Sequence, residues 1–229
     1  MALIEVHAAT KDYWDGKTVV HALQGIDLAV EPGEFIAIAG PSGSGKTTLL
    51  NLVGGLDDVT YGQLILGGQD LATLRPNTLS QLRLYDIGFI FQAYNLIPVL
   101  NAEENVAFTM LLQEVPVHER KRRAIDMLQR VGLGDVIHRK PAALSGGQQQ
   151  RVAVARAIVT HPKVVLADEP TANLDSETGA RLLEMMKQLN EEEQKTFIFS
   201  TYDPMVMEYA QRLVLLKDGC IISDEKRAS

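Results

Sequence analysis

Only one cysteine, Cys220, occurs among the 229 residues, so no internal disulfide can form and the chain suits a reducing, cytosolic setting. Basic charge is also short. The 22 Lys and Arg face 29 Asp and Glu, a formal net charge of −7, which argues against a general polyanion binder and predicts no nucleic-acid partner. No run approaches the roughly 18 apolar residues of a membrane-crossing helix. The opening Met1-Ala-Leu-Ile-Glu-Val-His7 has an early acid and no basic cluster, so it does not read as a secretory signal. Internal repeats and low-complexity tracts are absent too. Together these absences predict a soluble chain whose membrane role, if any, comes through a partner. What is present is ordinary globular material, 46% hydrophobic and 22% charged. The length fits one domain, or one with a sizeable insertion. A chain of this size buries roughly 70% of its unfolded surface and needs no staples.

Along the chain, residues 3–8 and 18–30 read as short, partly alternating strands, and Glu31-Pro-Gly33 marks a turn. Residues 34–39, 63–66, 87–91, 163–167, 197–201 and 212–217 are apolar runs expected to be strands, several of them fully buried. Helices are expected from Lys46 to Val53, in two pieces separated by Pro116 between 101 and 138, from Gln148 to Thr160, and from Ser176 to about Glu192. Apolar strands alternating with helices predict an α/β fold with a largely parallel sheet. The central helical block reads as an insertion.

Three motifs carry chemistry. Gly40-Pro-Ser-Gly-Ser-Gly-Lys-Thr47 matches G-x-x-x-x-G-K-[ST] between an expected strand and an expected helix. Glycines let backbone N–H groups close on phosphates, and the helix N-terminus adds partial positive charge. Gly40, Ser42, Gly43, Ser44, Gly45, Lys46, Thr47 and Thr48 are therefore candidate contacts of a nucleoside triphosphate. Lys46 suits the β- and γ-phosphates and Thr47 suits Mg²⁺. Second, Val164-Val-Leu-Ala-Asp-Glu169 ends a buried strand in two carboxylates that point oppositely. Asp168 suits the Mg²⁺ shell, and Glu169 suits orienting or deprotonating a water. Third, Leu144-Ser-Gly-Gly-Gln-Gln-Gln-Arg151 is a glycine turn at a helix start. By itself it reads as a plain cap with Ser145 as N-cap, or as a further anion site.

Taken together, these motifs resemble the ATP-binding-cassette (ABC) ATPases, from about Tyr13 to Gly219. The resemblance implies a P-loop NTPase with a mostly parallel core sheet, an N-terminal antiparallel β subdomain and an inserted α-helical subdomain. It implies one nucleotide-binding domain, with 1–93 and 155–229 as catalytic core and 94–154 as insertion. Its implied cofactors are ATP and Mg²⁺. Tyr13 stands where the family stacks an aromatic ring on adenine, with Trp14 beside it. Gln92 stands where a glutamine senses Mg²⁺ and the attacking water. Ser145, Gly146, Gly147 and Gln148 stand where the family signature meets the γ-phosphate of a second cassette, and Asp175 where a loop communicates across that dimer. The implied partners are a second copy and a separate transmembrane permease contacted near Gln92–Pro98, with the chain peripheral on the inner face of the cell membrane. Gly54–Asp57, Phe91–Pro98 and Leu166–Thr171 further resemble the lipoprotein-releasing and macrolide-exporter branch. Soluble relatives acting in DNA repair or translation typically carry two cassettes or coiled-coil insertions, which this chain lacks.

One residue departs from the family pattern. Relatives usually have Thr-His-Asp where this chain has Thr201-Tyr202-Asp203, and their histidine contacts the γ-phosphate. A neutral phenol donates one hydrogen bond but supplies no cation. The departure raises a second expectation, a nucleotide-gated regulatory module with impaired hydrolysis. Among the remaining features, Arg120–Arg123 and Glu191–Glu193 are expected to be solvated helix surface. Met185, Met186, Met205 and Met207 are expected to be core filler.

Overall fold

The computed structural model describes residues 1–16 and 18–227. β1 (Ile4–Asp15) and β2 (Thr18–Val30) form a long antiparallel pair. β3 (Phe35–Ala39) leads through the glycine loop into α1 (Lys46–Val53). Then come β4 (Tyr61–Leu66), β5 (Gln69–Asp70), α2 (Pro76–Asp86) and β6 (Ile87–Ile90). Three helices follow, α3 (Ala102–Leu112), α4 (Val117–Arg130) and α5 (Gly146–Ile158). The chain closes with β7 (Val164–Asp168), α6 (Ser176–Glu193), β8 (Thr196–Thr201), α7 (Pro204–Tyr209), β9 (Arg212–Lys217) and β10 (Cys220–Lys226).

These strands make two sheets. The first is antiparallel, in the order β2-β1-β4-β5, and the second runs β10-β9-β3-β8-β7-β6. From β9 to β6 every neighbouring pair is parallel, and only β10 is antiparallel, at the edge. All five residues of β3 and all six of β8 are buried, as strands covered on both faces require. The pairings Ala39↔Thr201, Asp168↔Ser200 and Ile90↔Ala167 bring four strand ends level. In a parallel sheet those carboxyl ends form the crevice where ligands bind. The sheet also divides the core. Phe35, Val165, Phe197 and Phe199 pack with the helices on one side. Ile36, Ile38, Leu166 and Ile198 pack on the other with α1 and the antiparallel sheet. Arg212 links the two sheets, donating to Asp224, Glu34 and the Ala29 carbonyl.

Several elements depart from the sequence expectations. β1 continues seven residues past residue 8, because register shifts between Val6 and Asp12 break the alternation that marks a strand. Helix α2, helix α7 and strands β5 and β10 were not anticipated. Helix α5 runs through residue 154, so the expected seam between insertion and core lies inside a helix. The basic run is only half solvated. Arg120 donates to the Val115 carbonyl and Arg123 to the Val159 carbonyl, while Lys121 and Arg122 are exposed. Glu193 is also drawn in, since Arg130 of α4 donates to both Glu192 and Glu193.

Gly88 shows how closely β6 approaches α5. A Cβ there would stand 2.4 Å from the Ala157 carbonyl oxygen, and backbone cannot swing aside as a side chain can. Gly88→Ala is expected to cost about 1–3 kcal/mol, read as a lower urea midpoint at unchanged m-value.

Candidate active site

The level strand ends surround a cavity of about 400 Å³. Ser42, Gly43, Gly45, Lys46, Thr47 and Thr48 line one wall, and Gln92, Asp168, Glu169 and Tyr202 line another. Val20, His21 and Ala22 of β2 complete it. Sequence reasoning missed these three. Their residue types carry no signal, and only the pairing of Val20 with Tyr13 places them beside an expected site residue.

The glycines of the loop are sterically required at two positions. A Cβ on Gly40 would meet the Leu216 carbonyl at 2.1 Å. Gly45 takes φ 100°, and a Cβ there would meet the Ala22 carbonyl at 2.5 Å. Lys46 is buried, and its ammonium donates to the carbonyls of Gly40 and Pro41 at 2.8 and 2.9 Å. Ser44 is buried with its Oγ unpartnered. The Thr47 hydroxyl lies 3.1 Å from Asp168 Oδ1.

Glu169 follows β7 with φ 47°, a left-handed conformation that turns its side chain out of the strand's alternation. Its N–H donates to the Ser200 carbonyl at 2.9 Å. Burial pushes its pKa above the ordinary glutamate value, opposed by the Tyr202 N–H, Lys46 and the Thr201 hydroxyl. Thr201 accepts from Asp203 N at 2.9 Å, and its own proton is directed at Glu169 Oε2, 3.4 Å away. Tyr202 touches Glu169 only through its backbone. Its side chain is exposed at the cavity wall.

The other sequence candidates lie outside the cavity lining. Tyr13 donates its hydroxyl to Asp57 Oδ2 at 2.7 Å, with Lys11 5.1 Å above its ring. Trp14 is exposed. Ser145 is the N-cap of α5, in a reciprocal capping box with Gln148. Gly146 follows it half-buried and Gly147 buried, and a Cβ on Gly147 would stand 2.4 Å from Thr178 of α6. Asp175 caps α6 through the N–H and hydroxyl of Thr178, bonds that lower its pKa.

A family model described as ABC transporter matches residues 23–172, the stretch holding both glycine motifs and the two carboxylates. The chain belongs to the ABC transporter family. It is 46% identical over 222 residues to a macrolide export ATP-binding/permease protein, MacB, of Hyphomonas neptunium, covering 97% of this chain and 34% of that protein. It is 41% identical to the uncharacterized ABC transporter ATP-binding protein MJ0796 of Methanocaldococcus jannaschii, covering 98% of this chain and 97% of that one. A dimeric post-hydrolysis structure of the MJ0796 cassette, bound to ADP and Pi, matches with a TM-score of 0.91 at 40% identity over 99% of both chains. The chain thus spans about a third of the length of the MacB relatives and nearly all of MJ0796.

The ABC ATPase domain takes ATP and Mg²⁺, and the residues present fit both. Backbone N–H groups of the loop, the buried Lys46 and the orphan Ser44 hydroxyl suit phosphate oxygens. Thr47, Asp168 and Gln92 supply the hard oxygen donors Mg²⁺ prefers. Among the described residues no group of three or more His, Cys, Asp or Glu is placed to hold a metal. No helix among the described residues is long and apolar enough to cross a membrane.

Proposed function

We propose that this chain hydrolyses ATP as one of two cassettes that close head to tail, and that the cycle powers a separate transmembrane permease in export, lipoprotein release or mechanotransmission. On this reading the chain sits on the inner face of the membrane. The carrying observation is that one chain presents two separate glycine-bearing helix starts. The cavity unites Lys46, Thr47, Asp168 and Glu169, while Ser145 and its glycines sit at another helix start outside it. Two copies facing each other give each phosphate chain both halves.

Each group has a role of its own. The loop and Lys46 hold phosphates, Thr47 and Asp168 hold Mg²⁺ with Gln92, and Glu169 orients and deprotonates water. Mg²⁺ held by Thr47, Asp168 and Gln92 would supply positive charge to offset that of the phosphates. Tyr13 is assigned to the adenine ring, and Asp175 with Ser145–Gln148 to the dimer face. The MJ0796 cassette being dimeric with ADP and Pi supports this assignment. The permease contact is assigned to a groove of about 700 Å³ in which Asn95 and Ile97 stand beside Phe89, Phe91, Phe108 and Leu112. MacB relatives being ATP-binding/permease proteins supports it.

The regulatory alternative gains no support, since Lys46, Thr47, Asp168 and Glu169 are all in place. Tyr202 is instead read as a brake on turnover. Phosphate release and ATP-dependent dimer formation test the whole reading, and absence of both would refute it. Tyr202→His is expected to raise kcat by about 10²-fold with little change in ATP affinity, the usual worth of one stabilising donor. Equal rates would show that the phenol costs nothing.

A further inference from the structure

Immediately after Gln92 the backbone takes an unusual path. Tyr94 and Asn95 are consecutive non-glycine residues with φ 59° and 48°, a conformation asparagine visits readily but that is uncommon for a bulky tyrosine. Arg156 of α5 binds this turn from the side. Its guanidinium donates to the Tyr94 carbonyl at 2.8 Å and to the Asn95 carbonyl at 2.6 Å. The Gln92 carbonyl itself accepts from Asn173 Nδ2 at 2.9 Å. The Tyr94 hydroxyl lies 3.0 Å from where a Cβ on Gly146 would stand. This short turn is therefore gripped by α5 and by the loop after Glu169.

Arg156 is an odd residue to find there for packing alone. It is half-buried, and burial lowers its pKa with no acid acting against that shift. A desolvated charge without a carboxylate partner is poor structural material. Two backbone carbonyls in fork geometry are its compensation, and they belong to the strained turn. Arg156 also lines the groove, together with Phe91, Asn95 and Ile97. It thus touches the groove on one side and the turn that follows Gln92 on the other.

We propose that Arg156 is a positioning residue for Gln92: its fork holds the Tyr94–Asn95 turn left-handed, and the turn sets Gln92 at the cavity. Its effect on turnover rests on the ATPase reading above; its hold on the turn stands without it. Lysine replaces the fork poorly, because its ammonium is a point charge on a flexible stem and lacks the rigid, planar pair of donors that fixes both carbonyls at once. Without the fork the turn relaxes toward ordinary backbone and Gln92 leaves its place. A displacement of about 1 Å at such a group costs on the order of 10²-fold in rate.

The test compares wild type with Arg156→Lys and with the double variant Arg156→Lys/Asn95→Gly, using the full chain. Amide hydrogen exchange is followed without nucleotide, and ATP turnover with it. Arg156→Lys is expected to speed exchange at Tyr94 and Asn95 by about 10-fold or more, the loss of a charge-assisted hydrogen bond, while β3 and β7 exchange as before. It is expected to lower kcat by about 10- to 10²-fold with KM for ATP within about twofold. Asn95→Gly removes the cost of positive φ and is expected to return part of the lost kcat. Unchanged exchange at the turn, or faster exchange spreading through α5 and the sheet without rescue by glycine, overturns the proposal. If Arg156→Lys does not fold, Arg156→Gln carries the same test; failure of both assigns Arg156 to the α5 core and also overturns it. A wild type without turnover refutes the ATPase reading, and the exchange data still decide whether Arg156 holds the turn.

Discussion

Glu169→Gln is expected to abolish ATP turnover while ATP binding persists and the cassettes accumulate as a closed dimer. Glutamine keeps the volume and one carbonyl acceptor but cannot take a proton from water. Lys46 keeps both its hydrogen bonds and the Thr47–Asp168 pair is untouched, so the binding half of the site is intact. Phosphate release and size-exclusion chromatography with ATP read the two effects separately. Surviving turnover would move the base elsewhere.

The same variant carries a stability signature. The folded state raises the Glu169 pKa, so it favours the protonated form over the unfolded chain's. Any stability from this group is complete below the unfolded glutamate pKa and is lost as pH rises through the raised folded value. At neutral pH the carboxylate is therefore a liability to the fold. Glu169→Gln is expected to raise Tm at pH 7, and the gain should disappear in acid below the ordinary glutamate range. Wild-type kcat/KM is expected to fall as pH drops through the raised value, because the base of the free enzyme must be ionised.

Lys46→Met is the second large effect, and it strikes binding rather than chemistry. The Lys46 ammonium lies against the Gly40 and Pro41 carbonyls. Bound phosphate replaces those neutral acceptors with charged ones, which hold such a donor more strongly. Each hydrogen bond to a charged group is worth about 1.5–3 kcal/mol. Losing the cation should weaken ATP binding by about 10²-fold in titration calorimetry. Met retains the aliphatic stem, so nucleotide-free Tm should not fall. An unchanged affinity would mean that the loop amides alone hold the phosphates.

How much of this was readable beforehand varied with the physics. Helix α1 begins at Lys46 and ends at Val53 as expected, because the motif fixes its start and Gly54–Gly55 its stop. Strands β3, β7 and β8 are continuous apolar runs that only a covered sheet can use. Helix α2 escaped notice because it buries only Leu82 and has almost no apolar stripe. Strand β10 is an edge whose residues are mostly exposed, so it carries no burial pattern. Helix α7 did carry a signal, Asp203 as cap with Pro204 at its first position, but its six residues bury only Val206 and are too short to show an apolar period. At the site, the residues that bear charge or glycine were legible. The hydroxyl pair behind Glu169 was not. Thr171 donates to Asp203, and Asp203 N–H to Thr201, a chain that only folding assembles. Arg156 was invisible for the same reason, as its partners are backbone carbonyls 61 and 62 residues away.

The division of the core by the central sheet bears on how such a protein can diverge. Adjacent residues of one strand serve different neighbourhoods: Phe35 and Phe197 belong with the helices, Ile36 and Ile198 with the phosphate loop and its helix. A lineage can therefore resculpt the helical half while the half around the phosphate loop inherits its packing.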